Sequence, residues 1–241
     1  MTPPAAPPFL PLPGGCLSAR LLRRRQRFII EAEGPAGPLR AHTNNTGAML
    51  GLMRPGAEVL LSPAANPARK LPWTLEMVRA HGFWVGVNTQ TPNRMLRLAV
   101  EAGALPGMGG PRSFRAEARL GESRLDGFLP AERGLPEAWL EAKNVTLVED
   151  ERAAFPDAAT ERGRKHLREL TALARQGVTV GLFFLVQRPD ARCFGPADYV
   201  DPEYAELMAG ALQAGVLAWA FEADLSEAGI GLGRRLPLRL E

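Results

Sequence analysis

The chain has 241 residues, 46% of them hydrophobic, and a net charge of +3. This suits one large domain or two small ones and excludes disorder along the whole length. No stretch is apolar and long enough to span a bilayer, and the start lacks the basic and unbroken apolar regions of a secretory signal, so a cytoplasmic protein without membrane contact is expected.

Residues 1–19 begin MTPPAAPPFLPLPGG. They are Pro-rich and unpatterned, so a disordered tail is expected. Cys16 and Cys193 form no CxxC and no zinc pattern, which suggests two reduced thiols. Charge is uneven. Residues 1–85 carry ten Lys/Arg against four Asp/Glu, and the remainder is net acidic. The run RLLRRRQR at 20–27 holds five of those ten. Its Arg23, Arg24 and Arg25 are candidate phosphate contacts, and a solvated edge explains them equally well.

Residues 20–88 read as a small β-barrel. RFIIEAEG, PLRAHT, AEVLLSP, TLEMVRA and FWVGVNT are five short runs of strand character with Gly/Pro punctuation. The oligonucleotide-binding (OB) barrel has this strand count, as do others. The loop HTNNTG presents His42, Asn45 and Thr46, which can bond a phosphate or a base edge or serve as turn residues. Trp73, Phe83 and Trp84 can stack on bases or fill the core. Only Lys70, Lys143 and Lys165 are lysine in this arginine-rich chain. A retained lysine hints at a need for a compact amine.

Residues 89–241 read as a mixed α/β domain. TPNRMLRLAVEAG predicts a helix with Thr91 as cap and Pro92 first inside. SFRAEARL, SRLDGFL and AWLEAKNVTLV predict three strands. TERGRKHLRELTALARQG predicts a long helix capped by Thr160. The apolar run VTVGLFFLVQ, the helix DPEYAELMAGALQAG and VLAWAFEAD follow, with helices crossing between parallel strands. GIGLGRR has spaced glycines but no helix behind it.

Residues two apart on a strand share a face, so Glu141 and Lys143 point the same way, with Val145 and Leu147 continuing that face. Asp126 lies among apolar neighbours one strand earlier and needs a partner. Two close carboxylates suit Mg²⁺ or Mn²⁺. Asp126, Glu141 and the Ala142 carbonyl are then the metal ligands, and Lys143 the charge stabiliser of a phosphodiesterase. Glu101 or Glu117 is the expected further carboxylate. A cross-strand salt bridge is the bland alternative. Lys165 is read as a phosphate contact, and His166 is left without a role.

Several phrases together resemble one family: HTNNTGAMLGLMRPG, LSPAANPARKLPWTLEMV, WVGVNTQTPN, SRLDGFL, EAKNVTLVED and FPDAATERGRKHLREL. They resemble the sugar fermentation stimulation protein A family from about Arg20 to Leu238. The resemblance implies an N-terminal OB barrel and a C-terminal nuclease domain of the PD-(D/E)xK type. It also implies DNA binding and a role in regulating sugar-utilisation genes. The nuclease pattern falls on Asp126, Glu141 and Lys143, with Glu101 as the helix carboxylate. The family loop usually reads His-Cys-Pro-Asn-Thr-Gly, and here Thr43 and Asn44 replace the Cys-Pro pair. Three readings stand open: a DNA-binding nuclease needing Mg²⁺ or Mn²⁺, a non-catalytic DNA-binding regulator, and an RNA-directed role, which an OB barrel and a basic arm do not exclude.

Overall fold

The computed structural model describes residues 6–120 and 123–240. The first five residues of the expected tail lie outside the described residues. A short strand, β1 (Phe9–Pro11), comes first. Six strands follow: β2 (Leu17–Arg25), β3 (Ile29–Gly34), β4 (Gly37–His42), β5 (Glu58–Pro63), β6 (Trp73–Ala80) and β7 (Phe83–Gly86). Five of them close on themselves in the order β4-β3-β2-β5-β6, with β6 returning to β4 by a parallel pair. This is the OB barrel, and closure removes its open edges. β7 hangs from β6 as a hairpin partner. Sequence patterning missed β2, because its exposed Arg20, Arg23 and Arg25 obscure the buried Ala19 and Leu21.

The remainder begins with α1 (Thr91–Glu101), β8 (Arg115–Leu120), β9 (Ser123–Leu129), β10 (Ala138–Val145), β11 (Leu147–Glu149) and β12 (Arg152–Phe155). It continues with α2 (Glu161–Arg175), β13 (Thr179–Val186), β14 (Cys193–Pro196), α3 (Pro202–Gln213), β15 (Leu217–Ser226) and β16 (Gly229–Leu236). The main sheet runs β1-β16-β15-β13-β10-β9-β8. At its centre β10, β13 and β15 are parallel, and α2 and α3 lie on the crossovers between them. A small sheet, β11-β12-β14, sits beside it.

Four sequence expectations are corrected. The tail is ordered over β1, which pairs antiparallel with β16 through Leu10↔Ile230. Leu10 is buried while its neighbours Phe9 and Pro11 face out, a pattern an edge strand tolerates. Thr91 does not cap α1. Gln90 is the cap residue, makes no side-chain cap bond, and Thr91 is already buried inside the helix. Thr160 does cap α2, accepting the Gly163 N–H at 3.0 Å. AWLEAKNVTLV is two strands broken at Thr146, so Leu147 belongs to the small sheet and not to the face of Glu141. GIGLGRR is the strand β16.

The main sheet is covered on both faces. Met95, Leu96 and Ala99 of α1 pack on Leu140, Ala142 and Phe183. The barrel's Leu60, Met77 and Trp84 join that same core, so barrel and sheet share apolar burial. Trp84 is therefore core, with the Arg79 guanidinium 4.3 Å above its ring. On the other face Leu167 and Leu170 of α2 and Tyr204 of α3 pack on Trp139, Val145 and Phe184.

Candidate functional site

Strands β9 and β10 are paired only where residues 127–129 meet residues 138–140. Beyond Leu140 they part. That leaves the Ala142 N–H without a strand partner on that side, and an unpaired buried N–H is costly. Asp126 fills the gap: its Oδ2 accepts the Ala142 N–H at 2.9 Å. Its Oδ1 accepts the Asn93 amide at 2.6 Å from the first turn of α1.

Glu141 and Lys143 alternate with Leu140 and Ala142, and so share the face of Trp139 and Val145 on β10. Glu141 is 3% exposed. Its Oε1 takes both the Lys143 ammonium at 2.6 Å and His166 Nδ1 at 2.5 Å. Its Oε2 is buried and has no partner. Helix α2 delivers His166 because its buried stripe runs Gly163, His166, Leu167, Leu170. This is the spacing of an inward helix face. Asp201 ties the starts of both helices: it caps α3 through the Tyr204 N–H, accepts the Thr160 N–H and pairs with Arg164 at 3.0 Å. Tyr204 is fully buried and its hydroxyl has no partner. Burial first, and then the Glu141 charge, push its phenol up.

The two carboxylates are driven apart. Burial, then the Glu141 charge, raises Asp126 to about 6. Burial pushes Glu141 up as well, but the Lys143 ammonium and His166 outweigh it and hold Glu141 at about 2. Adjacent carboxylates with opposed shifts make these residues candidates for a functional site. The donor set fits a hard divalent cation: Asp126, the orphaned Glu141 Oε2 and the Ala142 main-chain oxygen. Among the described residues, no group of three or more His, Cys, Asp or Glu side chains converges. So sparse a shell suits Mg²⁺ or Mn²⁺, which keep several waters.

Glu101 is not part of this arrangement. It is eight positions from Asn93, about 12 Å along the helix axis. There it is exposed and paired with Arg97 at 2.8 Å. Helix α1 offers its first turn to Asp126, not its last. Glu117 is exposed on β8 and pairs with Arg124, though it lines the same 310 Å³ cleft as Asp126, with Arg94 and Arg97. Lys165 lies on the exposed side of α2, 3.8 Å from Glu169, while its neighbour His166 turns inward. Asn93, His166 and Tyr204 carried no sequence signal as a set. They lie on three different helices.

In the barrel, the arginine run divides. Arg24 is a brace: its guanidinium donates to the carbonyls of Asn45 and Gly47 at 2.6 and 3.1 Å. Arg23 and Arg25 are exposed and both lean on Glu31. Asn45 is buried and inward, donating to the Val87 carbonyl and accepting the Gly47 N–H. A Cβ on Gly47 would lie 2.7 Å from an Asp157 carboxylate oxygen and would force that side chain to move. Asn44 binds Asn88 and Thr89. The loop is thus a joint between barrel and α1, with only Thr46 free at its surface. His42 is half-buried and stacked on Phe28. Lys70 lines a 560 Å³ groove with Leu22, Leu39, Arg40 and Trp73, across the barrel face formed by β3, β4 and the loop after β5. Sequence reading singled out Lys70 and Trp73 but not Arg40. Cys16 and Cys193 are free thiols. No described helix is long and apolar enough to cross a membrane.

Comparison with known proteins agrees with this architecture. Residues 22–87 match the SfsA N-terminal OB domain, and residues 90–229 match the sugar fermentation stimulation protein RE domain. A sugar fermentation stimulation protein homolog of Maridesulfovibrio salexigens is 58% identical over 96% of this chain and 97% of its own. One of Syntrophobacter fumaroxidans is 54% identical over 97% of this chain and 88% of its own. A solved structure of Pyrococcus furiosus SfsA in complex with Ca²⁺ superimposes with a TM-score of 0.87 at 29% identity, covering 98% of this chain and 100% of that one. The chain belongs to the sugar fermentation stimulation protein family.

Proposed function

We propose that the chain is a divalent-metal-dependent phosphodiesterase acting on nucleic acid, DNA in the first instance, with the OB barrel holding the strand. The observation that carries this reading is Glu141 Oε2, a buried carboxylate oxygen without a partner near a second, largely buried carboxylate, Asp126. Leaving such an oxygen empty costs the chain stability, and a cation repays that cost. The relative from Pyrococcus furiosus was solved with Ca²⁺, which takes the same hard oxygen ligands.

In this reading Asp126, Glu141 and the Ala142 carbonyl hold Mg²⁺ or Mn²⁺. When bound, such a cation would supply Lewis acidity and a water activated for attack on phosphorus. Asn93 and the Ala142 N–H fix the Asp126 carboxylate in one orientation. Lys143 is held at the site by Glu141, with a side chain only 12% exposed. Its ammonium offsets negative charge that grows on the phosphate as the bond breaks. Arg94 stands on the cleft beside Asp126 and meets the substrate's neighbouring phosphate. The groove with Arg40, Lys70 and Trp73 provides two cations and an aromatic face, the parts a single strand needs.

The names of the relatives speak of sugar fermentation. That favours a second reading, a DNA-binding regulator of sugar-utilisation genes that does not cut. Cleavage assays with Mn²⁺ on single-stranded DNA, duplex DNA and RNA separate the two. Cleavage that Asp126→Asn abolishes while binding persists supports the phosphodiesterase. Binding without cleavage in the wild type, unchanged in Asp126→Asn, supports the regulator.

A further inference from the structure

We propose that His166 is a positioning residue: its Nδ1–H clamps Glu141 Oε1 and so turns Oε2 to the cation. This inference rests on the metal-site reading above. Glu141 Oε1 lies 2.6 Å from the Lys143 ammonium, the geometry of an ion pair, so both carboxylate oxygens are acceptors only. The hydrogen between it and His166 therefore sits on Nδ1.

The division of donors is uneven. Oε1 receives Lys143 and His166, at 2.6 and 2.5 Å, while Oε2 receives nothing. A carboxylate turns readily about its last bond, whose rotamer preference is broad. Lys143 alone does not stop that turn. It sits on the same strand as Glu141, two residues on, and its long side chain follows either oxygen. His166 comes from a helix and is itself 4% exposed. The helix is anchored at its start by Thr160 and by the Arg164–Asp201 pair. The ring is thus a fixed point, and the carboxylate plane is set against it. The same residue in a purely apolar role fits poorly. Its position in the buried stripe is where a leucine packs, yet it carries a polar ring aimed at the one inward carboxylate of β10. Partners of this kind, one step behind the ligands, govern metal affinity in other centres.

The test is Mn²⁺ binding by isothermal titration calorimetry on the full chain, with no substrate present. His166→Ala is expected to raise the Kd about 10- to 100-fold. His166→Asn places an amide N–H near the position of Nδ1 and recovers most of that loss. His166→Gln places its amide at the far end of the ring and does not. Asn and His have similar helix propensity, so α2 is undisturbed. Thermal unfolding of the Asn and Gln variants serves as the fold control. If His166→Ala fails to fold, the contrast between Asn and Gln decides. Equal Kd values for those two variants, or a wild-type Kd in His166→Ala, overturn the clamp and leave the metal site standing. A wild-type chain that takes up no Mn²⁺ overturns both.

Discussion

Asp126 and Ala142 are joined across a gap in the sheet, the carboxylate Oδ2 accepting the main-chain N–H at 2.9 Å. The carboxylate thus stands in for a missing strand partner. It also brings its charge near that of Glu141, the residue just before Ala142. The cleft stores electrostatic cost, and the expected behaviour of the site variants follows from it.

Asp126 titrates at about 6 in the folded chain, against 3.8 for the free side chain. Between those values the folded chain binds the proton that the unfolded chain has released. Its contribution to stability is therefore full below about pH 4 and is lost as pH rises through about 6. The loss is on the order of 3 kcal/mol. Asp126→Asn is expected to be more stable than wild type at pH 7 and about equal at pH 4, in EDTA. Urea unfolding at the two pH values measures this. A variant less stable at pH 7 contradicts the strain.

Glu141→Gln is expected to move the other way. It leaves the Lys143 ammonium buried against a neutral amide, whose single oxygen is the one acceptor left for both Lys143 and His166. Breaking one side of a buried ion pair costs about 3–5 kcal/mol. A fall in the unfolding midpoint, together with loss of Mn²⁺ binding, is the predicted result. Stability unchanged from wild type would show that the pair is not formed in solution.

Asn93 and Glu101 lie on one helix and separate cleanly. Asn93→Ala removes a donor that lowers the Asp126 pKa, so it weakens Mn²⁺ binding at pH 6 more than at pH 8. Glu101→Gln breaks only an exposed pair with Arg97, worth about 0.3–0.5 kcal/mol. Its metal binding matches wild type. Calorimetry on the two variants side by side decides between the first and last turns of α1.

The barrel offers two basic sites with different roles. Lys70→Ala and Arg40→Ala are each expected to weaken single-stranded DNA binding and to reduce the salt slope by about one. Arg24→Ala acts through the fold, because it frees the carbonyls of Asn45 and Gly47. Its unfolding midpoint falls. Fluorescence anisotropy across a salt series, paired with thermal unfolding, distinguishes the two classes. Equal slopes for all three variants would remove the groove as the strand's seat.

Sequence alone determined what local chemistry controls. Alternation placed Glu141 and Lys143 on one face of a strand. The caps Thr160 and Asp201 fixed the starts of α2 and α3, because each supplies a side-chain oxygen to its own helix. Long matching phrases carried the family and the OB barrel. Tertiary structure decided which neighbours meet. Residues 165 and 166 are adjacent, yet Lys165 faces solvent and His166 faces Glu141, since about 100° of helix rotation separates them. Glu101 is a carboxylate on α1 but on the wrong turn, and Asn93 meets Asp126 because the packing of α1 sets its first turn beside that residue. The proline-rich start contains a strand because Leu10 finds a pocket formed some 220 residues later, beside Ile230. Such pairings depend on where whole elements pack, and no window along the chain contains that information.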